Sequence, residues 1–145
     1  MSVNTFVDTS VLVWTQDASD PVRQLRALER LRLEQVTGLP TVSANVLAEM
    51  FVALSKRRGP HPPLYSPEEA ARRVEVAATF HVVAVQKEHV LEALRLKQRH
   101  QLQWWDALNV ASARAAGCTL FLTADFPSAQ VIEGLRFEDP IGERA

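Results

Sequence analysis

The stretch Thr5-Phe6-Val7-Asp8-Thr9-Ser10 ends a short apolar run on a carboxylate, and Leu120-Phe121-Leu122-Thr123-Ala124-Asp125 repeats that pattern near the other end of the chain. Each run reads as a buried strand that delivers an acid to its carboxyl end, the edge of an open α/β sheet where ligands bind. What lies between decides how the two runs are joined. Val3 to Val7 is the first strand, and Ser10 to Gln16 leaves it as a short helix or turn. Asp20-Pro21 pairs a capping side chain with a pre-set first helical residue. A helix to about Gln35 follows, with Val22, Leu25, Leu28 and Leu31 on one stripe and Arg23, Arg26 and Arg30 on the other. Gly38 and Pro40 end it.

A brief strand at Thr41 and Val42 leads to Ser43, which caps a helix running to Lys56 or Arg57 and stopping at Gly59. The proline-rich run from Gly59 to Tyr65 is a loop too short to separate domains. Ser66-Pro67-Glu68-Glu69 opens a helix to about Phe80, and His81 to Val85 reads as a core strand. Val90, Leu91, Leu94 and Leu96 mark another helix. Asp106 to Ala116 forms a small-residue helix stopped by Gly117, and Thr119 to Leu122 is a strand. Strands alternating with helices predict an α/β fold, a parallel sheet with helices on both faces.

With 145 residues and 47% hydrophobic composition, the chain suffices for one domain spanning 1–145. A net charge of -1 and a pI near 6.4 argue against a surface that grips nucleic acid throughout, though not against a local basic patch. The single Cys118 cannot form an internal disulfide and reads as a small buried hydrophobe. The apolar runs break well before the roughly 18 residues of a membrane span. The N-terminus has no basic residue before its first apolar stretch, so the expectation is a cytoplasmic protein without a membrane contact.

Four acids stand out. Asp8 fits a strand-ending turn and a ligand equally well. Glu49 lies mid-helix among apolar residues, where an unpaired carboxylate is costly, and leans towards function. Asp106 at the start of its helix also suits the helix dipole, and Asn109, on the same face, could assist it. Asp125 precedes Phe126-Pro127, an ordinary place for a turn aspartate. Together the four are more persuasive: convergent carboxylates repel unless a cation neutralises them, and hard oxygen donors suit Mg²⁺ or Mn²⁺. His61, His81, His89 and His100 show no close pair, which with one cysteine argues against a tetrahedral zinc site.

The segments around Asp8, Trp104-Trp105-Asp106-Ala107-Leu108 and Leu122-Thr123-Ala124-Asp125, with Glu49 between them, resemble the PIN domain, most closely the VapC-type ribonuclease toxins. Val131-Ile132-Glu133-Gly134-Leu135-Arg136 extends the likeness over nearly the whole chain. The resemblance implies a three-layer sandwich, a central parallel sheet flanked by helices. It also implies metal-dependent RNA hydrolysis, a cognate antitoxin and a homodimer. Asp8, Glu49, Asp106 and Asp125 match the family's four metal-binding acids in order, and Ser10 a small polar position beside the first. Two departures are Ala129, where a glycine is frequent, and Asp139-Pro140 in place of Asn-Pro.

Residues 20 to 59 hold seven basic groups against four acids, and Arg57 and Arg58 could contact RNA phosphates or simply complement a helix C-terminus. A base could stack on Trp104 or Trp105, with at least one of them packing in the core. Trp14, Val46, Met50 and Leu54 read as core or interface. Two rival folds fail on residues: a receiver domain needs adjacent acids after the first strand and a late Lys, and a haloacid-dehalogenase-like phosphatase needs an acid where Ser10 stands. The alternative from another class is a PIN-like module that binds RNA or a partner with little turnover. No nucleotide-binding glycine loop is present.

Overall fold

The computed structural model describes residues 4–126 and 130–142. Strand β1 (Thr5–Val7) is wholly buried because it is paired on both sides, by β2 (Thr41–Ser43) and β4 (Leu120–Leu122), both parallel to it. β3 (His81–Val83) extends the sheet beyond β2, and β6 (Leu135–Glu138) beyond β4. β5 (Val131–Ile132) closes the far edge antiparallel to β6, giving the order β3-β2-β1-β4-β6-β5. The α/β class and the mostly parallel sheet agree with the sequence pattern.

Six helices connect the strands among the described residues: α1 (Thr9–Thr15), α2 (Pro21–Val36), α3 (Ala44–Ser55), α4 (Pro67–Ala77), α5 (Lys87–His100) and α6 (Trp104–Ala115). The chain steps outward from β1 through β2 to β3 and then returns to β4. Right-handed crossovers therefore put α1 to α4 on one face and α5 with α6 on the other. The packing follows suit, α1 lying against α2 and α3, α3 against α4, and α5 against α6.

The helix starts follow their capping chemistry. Asp20 accepts the Arg23 N–H ahead of Pro21, Ser43 accepts that of Val46, and Ser66 that of Glu69. α6 ends in a Schellman turn, with Gly117 at φ +76° and the Cys118 N–H on the Ala113 carbonyl at 3.0 Å. α5 ends instead on Gln101 in a left-handed conformation, without the glycine that marks such an end in sequence.

In the core, Phe6, Phe121 and Phe137 occupy matched positions on β1, β4 and β6, and their rings lie 4.9 and 5.1 Å apart. Phe126 stacks on Phe137 at 4.4 Å. This contact pins the turn that carries Asp125 onto the sheet. Trp14, Val46, Met50 and Leu54 are buried, as their sequence spacing predicts.

Several expectations need correcting. His81 to Val85 is not a core strand: β3 is an edge strand, paired on one side only, and His81 is exposed. The stripe on α2 is misjudged, because Val22 is 63% and Leu25 53% exposed, whereas Ala27 is fully buried. α2 packs chiefly on α1 and offers only a narrow face to the interior. The helix marked by Val90, Leu91, Leu94 and Leu96 is present as α5, in which Ala93 and Leu96 turn inward while Leu91 and Leu94 are exposed. α6 begins at Trp104, so Asp106 sits in its first turn and does not open it. The first strand starts at Thr5; Val3 lies outside the described residues, as does Ala129.

The sequence pattern does not reveal the β5–β6 hairpin. Its two-residue loop, Glu133-Gly134, has φ of +48° and +87°, and a glutamate is an unusual occupant of a left-handed position. Arg95 Nη2 at 2.7 Å and His100 Nε2 at 2.6 Å hold the Glu133 carboxylate, and Arg114 donates to its carbonyl at 3.3 Å. Arg95 and Arg114 also bind Glu92, so the network ties the hairpin to α5 and α6.

Candidate metal centre

The loops that leave β1 and β4 depart toward opposite edges of the sheet, β1 towards β2 and β4 towards β6. That divergence opens a crevice at the carboxyl ends of the two strands. Asp8, directly after β1, and Asp125, three residues after β4, both face it, and the first turn of α6 adds Asp106. One oxygen from each of the three lies within 4.8 Å of the others.

Asp8 is 4% exposed and serves as N-cap of α1. Its Oδ1 accepts the Thr9 N–H at 2.8 Å and the Asn109 Nδ2 at 3.4 Å. Its Oδ2 accepts the Thr123 hydroxyl at 2.8 Å. Ser10, the small polar residue beside it, accepts the Ala124 N–H at 3.3 Å and so ties the two acid-bearing loops together.

Glu49 stands outside the aspartate trio but within its hydrogen-bond network. Glu49 Oε1 accepts from Thr9 Oγ1 at 3.2 Å, Asn45 Nδ2 at 3.0 Å and Asn109 Nδ2 at 3.4 Å. Asn45 also donates to Asn109 Oδ1 at 3.2 Å, which orients that amide so that its Nδ2 faces both Asp8 and Glu49. Asn109 therefore bridges two acids from the buried face of α6. Its sequence spacing connects it only with Asp106.

Burial is the main reason that the Asp8 carboxyl is pushed up to about 7; Asp125 and Asp106 push the same way, and the bonds from Thr123 and Thr9 oppose them. Asp106 is raised to about 6 by burial, then by Asp125 and Glu49. A cluster of hard oxygen donors whose charges are this costly fits a small divalent cation.

Two residues that sequence reasoning passed over complete the site. Asn45 lies one helical turn before Glu49, a spacing that could have exposed it. Thr123 lies in the quoted Leu-Thr-Ala-Asp run, but nothing local shows that its hydroxyl points to Asp8. Arg58 is placed elsewhere, 4.0 Å from the buried Asp17, and Arg57 is exposed beyond the end of α3. Lys56 is a basic residue that lines the same cleft as Glu49.

An open, mostly parallel sheet with carboxylates gathered at its switch point defines an acidic-pocket α/β protein. The PIN domain family matches residues 5–130, and the chain belongs to that family. No curated protein matches the sequence significantly. Among solved structures, a toxin–antitoxin complex from Klebsiella pneumoniae superposes with a TM-score of 0.70 at 17% identity, covering 94% of this chain and 98% of that one. VapC20 of Mycobacterium tuberculosis, a sarcin-ricin loop cleaving toxin, gives 0.64 at 24% identity over 81% of this chain and 87% of its own. VapBC2 from Rickettsia felis, bound to a DNA fragment from its promoter, gives 0.67 at 14% identity over 94% and 98%. At these identities the likeness shows a shared fold.

Proposed function

We propose that this PIN domain, spanning residues 1–145, is a metal-dependent endoribonuclease and the toxin of a toxin–antitoxin pair. The observation that carries the reading is the convergence of Asp8, Asp106 and Asp125 within 4.8 Å at the sheet's switch point. Family membership supports it, as does the shared fold with VapC20, named for cleaving the sarcin-ricin loop.

In this reading the three aspartates hold Mg²⁺ or Mn²⁺. When bound, the ion supplies a water of lowered pKa and positive charge for the phosphate and the leaving oxygen. The remaining steps belong to the protein. Thr9, Asn45 and Asn109 all engage Glu49 Oε1, which leaves Oε2 to orient the attacking water and accept its proton. Thr123 and the Thr9 N–H keep Asp8 aimed into the crevice. Ser10 supports the Asp125 loop through Ala124.

In this reading the protein works on RNA in the cytoplasm; no described helix is long and apolar enough to cross a membrane. An antitoxin and a second copy of the chain are the proposed protein partners. The Klebsiella and Rickettsia neighbours are toxin–antitoxin assemblies, and exposed Val22, Leu25, Leu33 and Val36 on α2 offer apolar surface to a partner.

The test is cleavage of total cellular RNA by the purified protein with Mg²⁺ or Mn²⁺, with EDTA, and with folded Asp8→Ala. Discrete fragments that require both metal and Asp8 are expected. A folded, metal-supplied wild type that binds RNA without cutting it would make the chain a binding module.

A further inference from the structure

Beside the aspartates, α3 and the start of α6 enclose a cleft of about 400 Å³. Glu49 and Val52 line it from α3, Lys56 from that helix's C-cap, and Trp105 from α6. The adjacent tryptophans have opposite fates: Trp104 packs against the core, whereas Trp105 is 56% exposed although it directly precedes Asp106. Thr9, Asn45 and Glu49 belong both to this cleft and to the hydrogen-bond network of the acids. A second cleft, polar and of about 410 Å³, is lined by Gln101, Gln103, Asp106, Asp125 and Phe126. Glu49 thus borders one cleft, and Asp106 and Asp125 the other.

A cleft of about 450 Å³ on α5, α6 and the hairpin is by contrast lined by Glu92, Arg114 and Glu133, whose charges are already paired with one another. The cleft at Trp105 has an apolar floor, an exposed indole and a lysine at its rim, the elements of a stacking platform for single-stranded nucleic acid. We propose that it is a nucleotide subsite, in which Trp105 stacks a base of single-stranded RNA next to the scissile phosphate and Lys56 contacts that strand's backbone. The inference rests on the nuclease reading above and assigns the substrate class at one flank of the site. Stacking tolerates every base, so cleavage at this flank depends on an unpaired nucleotide more than on its identity. Base-paired RNA keeps its bases stacked on one another and leaves none for the indole.

The test measures binding of short single-stranded oligo-A and oligo-U, intact and with an abasic residue stepped along the strand. The full chain carries Asp106→Asn to suppress cleavage. Trp105→Ala is expected to weaken binding of the intact strands roughly 5- to 150-fold, and Trp105→Phe far less. One abasic position should cost the parent protein a comparable factor but cost Trp105→Ala nothing, while circular dichroism shows that variant folded. Lys56→Gln should lower the slope of log affinity against log salt by about 0.7. Equal binding by Trp105→Ala and its parent, while the wild type still cleaves RNA, overturns the subsite and leaves the nuclease standing. A wild type that neither binds nor cleaves RNA overturns both. If Trp105→Ala changes only self-association, measured by light scattering, the cleft is a contact between copies and the subsite is rejected.

Discussion

The Thr123 hydroxyl donates to Asp8 Oδ2 at 2.8 Å, so the first residue after β4 orients the acid that ends β1. The Thr123 hydroxyl oxygen in turn accepts the Asp125 N–H at 3.0 Å, and one side chain thereby sets two of the three clustered carboxylates. Thr123→Val keeps the shape and removes both bonds. RNA cleavage should fall about 10- to 100-fold, the usual cost of losing a group that orients a metal ligand. Circular dichroism should show an unchanged fold. Wild-type cleavage rates in Thr123→Val would show that the Asp8 orientation does not depend on this hydroxyl.

Asp8 also determines how the metal-free protein responds to pH. Its carboxyl rises from an ordinary 3.8 to about 7 on folding, chiefly by burial. A group raised in this way contributes stability below pH 3.8 and loses it as pH climbs through about 7. In EDTA, Asp8→Asn should therefore raise the melting temperature at pH 8 by roughly 3 °C or more and change it little at pH 4. Conversely, Mg²⁺ should stabilise the wild type more at pH 8 than at pH 5, because protons compete for the same oxygens. Thermal melts at the two pH values check both signs.

Asn109 joins Asp8 to Glu49 across the crevice, with Asn45 holding its amide in place. Asn109→Ala should lower cleavage by about 10- to 100-fold. It should also destabilise the fold by about 1–3 kcal/mol, since the buried site loses a polar partner. Single-turnover kinetics and urea denaturation measure the two effects separately. A loss of stability with cleavage unchanged would reduce Asn109 to a packing residue.

At the opposite end of the sheet, Glu133 is drawn from 4.5 down to about 2, first by its bonds to Arg95 and His100. A depressed carboxyl stabilises the fold above pH 4.5 and loses that contribution as pH falls through about 2. Glu133→Gln should thus be less stable than wild type at pH 6, and the gap should narrow between pH 4 and pH 3. Denaturation curves of both proteins across that range are decisive; a gap independent of pH would assign the effect to the strained turn alone.

Much of the architecture is legible in the chain because its signals are local. Apolar runs ending at Asp8 and near Asp125, together with the caps at Asp20, Ser43 and Ser66, are read from neighbouring residues, and they suffice for an alternating α/β order. The four acids are legible for the same reason, since a carboxylate at the end of a buried strand or amid an apolar helix stands out from its surroundings. The hairpin at Glu133-Gly134 escapes because its turn depends on ion pairs with Arg95 and His100, more than thirty residues earlier. Burial on α2 and α5 escapes because periodicity shows which residues share a face, whereas the neighbours packed on that face decide which of them leave water.

From the sequence alone come the element order, the acids and the resemblance to PIN domains. The tertiary structure decides which side chains meet. It brings Asp8, Asp106 and Asp125 within 4.8 Å, places Glu49 one hydrogen-bond layer away behind Asn45 and Asn109, and gives Lys56, not Arg58, to the cleft beside them. The physical reason is the range of the forces involved. Propensity and capping act over one helical turn, but hydrogen bonds and charge repulsion act between atoms a few ångströms apart in space. For Asp8 and Thr123, 115 residues separate such atoms along the chain, and only the sheet's parallel register closes that distance.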